Sequence, residues 1–305
     1  MALLLPGVSA LYDAYLYPPD TPRPDFAEPP GEAALVPARS VSWRVFANPV
    51  TLFVGGVLAV ILELALPKVR HGVWDHSTFA AEPKLRLQRT GLAAMVTIYG
   101  PASAALRMIE GVNAAHERVQ GMTDAGEPYA ATDEALLVWV QATAAFGFAE
   151  AYSRLARPLA PAHWDALFAE GAPVARAYGA MDAPTSRAAW EALLARTAPR
   201  LESSDVLAEF LTIMATRPVL PPVIRAAQGP LVRVAASLVP EAAGLPLPGW
   251  RAGRTDRALA RSAAKAASRV LVPSSPPVQA CRRLGLDPRT VLSGPLPSLP
   301  VDVAP

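Results

Sequence analysis

The sequence predicts an all-α protein, and three observations carry that expectation. Apolar residues recur at three- and four-residue spacing through most of the chain, alternating strand-like runs bounded by hairpin signals are absent, and prolines or capping residues stand where helices should begin. With 305 residues, 52% of them hydrophobic, the chain can bury a substantial core, which excludes disorder throughout.

The first 40 residues carry PPDTPRPDFAEPPGE, in which prolines remove backbone donors and bias their neighbours toward extended conformations. This is expected to be an arm. The opening MALLLPGVSALYDAYLYPPD has a proline inside its apolar run and no basic residue ahead of it, so no signal peptide is read and a cytoplasmic protein is expected. From Trp43 the composition changes. The stretch NPVTLFVGGVLAVILELALP reads as a buried helix with Asn48 as N-cap and Gly55-Gly56 as a close-packing or bend point. Its apolar run, Val50 to Leu62, spans about 20 Å as helix, short of a hydrocarbon core of about 30 Å, and Glu63 follows at once. A core helix is therefore expected rather than an integral membrane span, with peripheral membrane contact left open.

In EPKLRLQRTGLAAMVTIYG, Arg86, Arg89 and Thr90 can share one side of a helix, which continues through the small residues Ala93 and Ala94 to Thr97. Small residues leave room for a flat ligand or for a neighbouring backbone. Pro101 suits a helix start and Gly121 a helix end. Within that frame His116 shares an apolar stripe with Leu106, Ile109, Val112, Asn113 and Val119, while Arg107, Glu110, Glu117 and Arg118 fall largely elsewhere. A histidine on such a stripe must have its nitrogens satisfied by hydrogen bonds or by a metal. After the turn MTDAGEPYAA, Thr132 or Asp133 can cap a helix that is apolar nearly all round from Ala135 to Ala149, which places it at the centre of the fold. Its polar members Gln141 and Thr143 need buried partners and can line the same cavity as His116.

Further helices are expected at about 161–180, 184–198 and 204–216, followed by a proline-broken pair in RPVLPPVIRAAQGPLVRVAASLVP. A last, basic amphipathic helix lies in GWRAGRTDRALARSAAKAASRVLVP. Its charges are read as solvated, and without aromatic interleaving it is not a nucleic-acid patch; a net charge of +2 agrees. From Pro273 a proline-rich tail is expected. The domain reading is thus an arm (1–40), a helical domain (41–272) and a tail (273–305). The single cysteine, Cys281, cannot form an internal disulfide and is not expected to be catalytic.

His71, Asp75 and His76 form a second constellation, two imidazoles and a carboxylate such as non-haem iron oxygenases use; on a helix the two histidines would point about 140° apart, a poor facial set. His163 sits at a helix start and reads as a surface or capping residue. P-loop, G-x-G-x-x-G, H-E-x-x-H and G-x-S-x-G motifs are absent, which lowers nucleotide, zincin and serine-hydrolase readings.

The series HSTF with Pro83, RLQRT, the Tyr-Gly of IYG, NAAHERVQG and YAATDEALLVWVQAT resembles, in order and spacing, the core domain shared by latex clearing protein (rubber oxygenase) and the MpaB-type oxygenases. The resemblance covers roughly residues 43–275. It implies a globin-like helical core binding haem b, and use of dioxygen to cleave carbon–carbon double bonds of isoprenoid chains. It implies that His116, in the H-x-x-V-x-G motif, is the proximal iron ligand, and that Arg86 and Thr90 serve haem binding or activity. Arg89 stands where the latex enzymes carry a lysine able to occupy the distal iron position; an arginine has no lone pair to offer there. Gln141 replaces a histidine common in the WVHAT motif. The resemblance also implies a glutamate base without marking its position, and Glu63 is the only acidic residue in a neighbouring apolar segment.

The expected function is therefore a haem b oxygenase acting with dioxygen on a hydrophobic, isoprenoid-like substrate. His116 is expected as the metal ligand, Arg86, Thr90, Asn113 and Gln141 as cofactor-binding residues, and Arg86, Arg89 and Thr90 as catalytic ones. Two alternatives stand beside it: a helical protein that binds haem or lipid without turnover, and a non-haem iron oxygenase using His71, Asp75 and His76.

Overall fold

The computed structural model describes residues 8–19 and 21–298, which form fourteen α-helices and one two-stranded hairpin. A short helix α1 (Val8–Leu16) precedes the proline-rich segment, which lacks helix but is anchored: Phe26 and Val36 are fully buried. Helix α2 (Val41–Val45) starts where the Ser40 hydroxyl accepts from the Trp43 amide. Helix α3 (Pro49–Leu64) starts as expected at Asn48, whose Oδ1 accepts from the amides of Val50 and Thr51. Pro67 opens α4 (Pro67–Trp74) after a bend of 114°. Helices α5 (Pro83–Tyr99) and α6 (Ala102–His116) follow.

The helix carrying His116 stops at His116 and does not run on to Gly121. The chain turns instead into β1 (Gln120–Met122), paired antiparallel with β2 (Pro128–Ala130). Gly121 serves that hairpin by close approach, since a Cβ there would lie 2.7 Å from the Tyr129 hydroxyl. Asp133 then caps α7 (Glu134–Leu155), accepting from the Ala135 amide. Helices α8 (Pro161–Ala177), α9 (Arg187–Thr197) and α10 (Asp205–Thr216) match the three expected patterns. Of the proline-broken pair, the first member is a 3-10 turn (Pro222–Ala227) and the second is α11 (Gln228–Ala236).

The basic helix α12 (Arg254–Ala267) is not the last. Residues expected as a proline-rich tail form α13 (Pro276–Arg283) and α14 (Pro288–Ser293), because their prolines occupy first-turn positions where no N–H is needed. Val278, Cys281, Val291 and Leu292 are buried there. Burial pushes the Cys281 thiol up to about 12, so it is inert at neutral pH. The Arg283 guanidinium ties this end to the arm and to α5 by donating to the carbonyls of Phe26, Glu32 and Tyr99.

Helices α3 and α7 make the centre. Their backbones touch at two glycines: a Cβ on Gly55 would lie 2.8 Å from the Gly147 carbonyl oxygen, and one on Gly147 would lie 2.6 Å from that of Gly55. Trp139 of α7 donates its indole N–H to the Leu62 carbonyl and stacks on Trp190, which stacks in turn on Phe146. Among the described residues α7 alone is long and apolar enough to cross a membrane, and 61% of its most apolar window is buried inside the protein.

Candidate functional site

The central helices are not covered all round. On α7, Leu136, Val138, Trp139, Ala142, Thr143 and Phe146 are buried, whereas Leu137, Val140, Gln141, Ala144 and Phe148, on the opposite stripe, are only half-buried. On α3 the half-buried stripe is Gly56, Val60 and Glu63. Helices α5 and α6 pack on each other, yet neither packs closely on α3 or α7. These half-buried, largely apolar faces and the α5–α6 pair bound a region, the slot, across which Glu63, Arg86 and His116 sense one another electrostatically.

Glu63 ends the apolar run of α3. Burial raises its carboxyl to about 7, opposed by a long hydrogen bond of 3.4 Å from the Thr143 hydroxyl and by the positive charge of Arg86. Thr143 also donates to the Val140 carbonyl at 2.9 Å, so its hydroxyl is shared. Glu63 keeps some accessible surface and lies on the half-buried stripe of α3, on the side where Thr143 and Arg86 reach it.

Arg86 and Thr90 lie one turn apart on α5, and the guanidinium Nη1 donates to the Thr90 hydroxyl. Burial lowers the Arg86 pKa, Glu63 raises it and Arg89 lowers it further, so the three charges sense one another. Arginine nonetheless stays cationic at neutral pH. Arg89 and Thr90 are exposed and sit at the rim. Thr97, further along α5, lies 3.4 Å from the Tyr178 hydroxyl at the end of α8.

His116, the last residue of α6, is half-buried. Its pKa is lowered, first by burial and then by Arg86, which keeps the imidazole neutral with a lone pair available. Its Nδ1 is enclosed and has no hydrogen-bond partner among the described residues. Three residues earlier, Asn113 donates Nδ2–H to the Ala177 carbonyl at 2.9 Å, while its Oδ1 is likewise enclosed without a partner. The two orphans are complementary, a donor and an acceptor at i, i+3 on one helix. Gln141 is half-buried on the exposed stripe of α7.

The structure therefore brings Glu63, Arg86, Thr90 and His116 into one electrostatic group. It does not bring His71, Asp75 and His76 together. His71 places Nδ1 2.8 Å from Asp75 and Nε2 3.5 Å from Asp124, whereas His76 points Nε2 at the Tyr129 hydroxyl, 3.1 Å away. Each ring is engaged by the hairpin or its own helix, and among the described residues no group of three or more such side chains converges on a metal position. His163 contacts the Pro297 carbonyl through Nε2 at 3.2 Å, and the N-cap position of α8 belongs to Ala160. Two participants were not predicted as site residues. Glu63 left a signal, an acid closing an apolar helix; Tyr178 left none, because only the packing of α8 brings it to Thr97.

A model of the family described as "ER-bound oxygenase mpaB/B'/Rubber oxygenase, catalytic domain" matches residues 43–290. No curated protein and no solved structure gave a match.

Proposed function

Since the chain belongs to the family of MpaB and rubber oxygenase catalytic domains, we propose that it is a haem b-dependent oxygenase that uses dioxygen to cleave a carbon–carbon double bond in a hydrophobic, isoprenoid-like substrate. One observation carries the reading: a neutral histidine, a half-buried arginine and a carboxyl poised near neutrality sense one another across the half-buried apolar faces of two helix pairs.

The residues fit the cofactor. His116 would hold the iron through Nε2, because the enclosed Nδ1 faces no solvent and its complement is the unpartnered Oδ1 of Asn113. A proton on Nδ1 leaves the lone pair on Nε2; neither Nδ1 nor the Asn113 Oδ1 has a partner among the described residues, so the bond between them would form only with the cofactor in place. Arg86, with Thr90 and Gln141, would contact the cofactor's polar periphery, and Arg89 the rim of the distal side. Bound haem b supplies the redox-active iron that activates dioxygen.

The chain's own groups do the rest. Val60, Leu137, Ala144 and Phe148 offer the apolar wall that receives a hydrocarbon and excludes water. Glu63, with Oε1 held by Thr143, leaves Oε2 to accept a proton from the substrate; a carboxyl near 7 is matched to that task at neutral pH. Because cleavage of the double bond by dioxygen into two carbonyls releases no net proton, the proton must return to the product, and Arg86 stabilises the carboxylate that is then left.

The test is an absorption spectrum of protein expressed with haem precursor and iron, recorded oxidised, reduced and with carbon monoxide. A Soret band at stoichiometric haem that is lost in His116→Ala is expected, together with oxygen uptake on a panel of alkenes. A colourless protein that takes up no haem, or a His116→Ala variant with an unchanged spectrum, overturns the reading. Full haem without alkene-dependent oxygen uptake would make the chain a binding protein.

A further inference from the structure

At the other end of α3, about 20 Å of helix away from Glu63, lies a cavity of about 550 Å³ with no part in the slot. It is built from α1, the starts of α3 and α13, the ends of α7 and α12, and the segments around Leu220 and Leu271. Its volume is in the range of small-molecule sites. Its floor is apolar, with Phe53, Leu231, Leu271 and Val278. Among the described residues its charges are all of one sign: Arg44, Arg157, Lys265 and Arg269 line it, and none of its lining residues is acidic.

Arg44 is the telling residue. It is 6% exposed and has no carboxylate partner among the described residues. Only its Nη2 is used, donating to the carbonyls of Thr290 (3.0 Å) and Pro295 (2.7 Å). Its other donors have no partner among the described residues, yet they are not enclosed either, and Arg44 lines the cavity on which they open. The hydroxyls of Tyr12, Tyr15 and Tyr152 line the same space, and none has a hydrogen-bond partner among the described residues. A buried cation beside the idle Tyr152 hydroxyl is costly unless an anion completes it. At the rim Leu11 and Ile224 are exposed, which gives an apolar mouth.

We propose that this cavity binds an amphipathic anion, a long-chain carboxylate, with its head on Arg44, Arg157 and the tyrosine hydroxyls and its chain along Phe53 and Leu231. The bidentate geometry of guanidinium with carboxylate suits such a head group, and the one-signed lining rejects cationic or zwitterionic ligands of the same shape. The site is independent of haem and of the reaction at the slot.

The experiment is a fluorescence titration of the full chain with cis-parinaric acid, followed by displacement with palmitate or with hexadecanol. Saturable one-to-one binding is expected, with palmitate displacing the probe at least about tenfold better than the uncharged alcohol. Arg44→Gln should weaken binding about tenfold or more, and Tyr152→Phe, which keeps the shape, a few-fold; circular dichroism checks that each variant is folded. Ala156→Trp, at the cavity wall, should fill the space and abolish binding, while His116→Ala and preloaded haem should leave it unchanged. Absence of saturable binding, equal displacement by hexadecanol, or loss of binding in His116→Ala would overturn the proposal. So would association with anionic vesicles without uptake of the monomeric acid, which would make the cationic rim a membrane surface.

Discussion

Replacing Glu63 by glutamine removes one ionisable group from the slot while keeping its size, and the structure sets how stability should respond. The carboxyl is raised from an ordinary 4.5 to about 7, chiefly by burial. A folded-state pKa above the unfolded one means that the native protein binds the extra proton between those two values. The wild-type chain therefore loses stability as pH rises through that window, and the loss is complete above about pH 8. The full effect is about 3 kcal/mol at most, and smaller to the extent that the half-buried carboxyl retains solvent. Glu63→Gln carries no such penalty. Urea unfolding of haem-free wild type and variant at pH 4.5, 6, 7 and 8 should give matching stabilities at the acid end and a gap, in favour of the variant, that opens between pH 5 and 8. A gap that is constant with pH, or one that favours the wild type at pH 8, would refute the burial argument. Under the proposed function the same substitution should abolish alkene-dependent oxygen uptake while leaving haem content intact, which separates the carboxyl's chemistry from its cost in stability.

Other outcomes follow from single contacts. Gly147→Ala should lower the melting temperature by the equivalent of about 1–3 kcal/mol, because its methyl would meet the Gly55 carbonyl at 2.6 Å. Gly171→Ala, inside α8 with nothing within 4 Å, should instead stabilise by up to about 1 kcal/mol; a shift of the same sign in both would contradict the close-packing account. Arg283→Met strips three buried carbonyls of their donor and should cost about 3 kcal/mol or more, with limited proteolysis newly cutting between residues 21 and 40. Asn113→Ala should speed haem dissociation about tenfold or more and shift the reduction potential, measured by stopped-flow transfer to apomyoglobin and by potentiometry; unchanged values would remove Asn113 as the positioning partner of His116.

Much of the fold was legible because local rules and tertiary packing agree. Asn48 and Asp133 cap their helices where the sequence placed them, while Pro101, expected in a first turn, is the N-cap of α6. The reading failed where two local signals competed. Gly121 reads as a helix end, yet the chain had already left the helix at His116 to form a hairpin. Proline density after Pro273 suggests a tail, yet Pro276 and Pro288 open short helices whose apolar faces are buried. The same ambiguity affected the site: the three- and four-residue spacing put His116 and Asn113 on one face, and Arg86 and Thr90 on another, but spacing within a helix is blind to what stands across the gap.

The sequence alone determined which elements form and which residues share a helix face, because capping, proline geometry and apolar period act over a few residues. It also carried the family resemblance, which lies in the order of short motifs. Only the tertiary structure decided that Glu63 joins Arg86 and His116, that His71 and His76 are engaged apart from each other, and that Arg44 faces a separate cavity without a counter-ion among the described residues. Those facts depend on pairs of residues far apart in the chain, and on burial that turns an ordinary carboxyl or guanidinium into a group needing a partner.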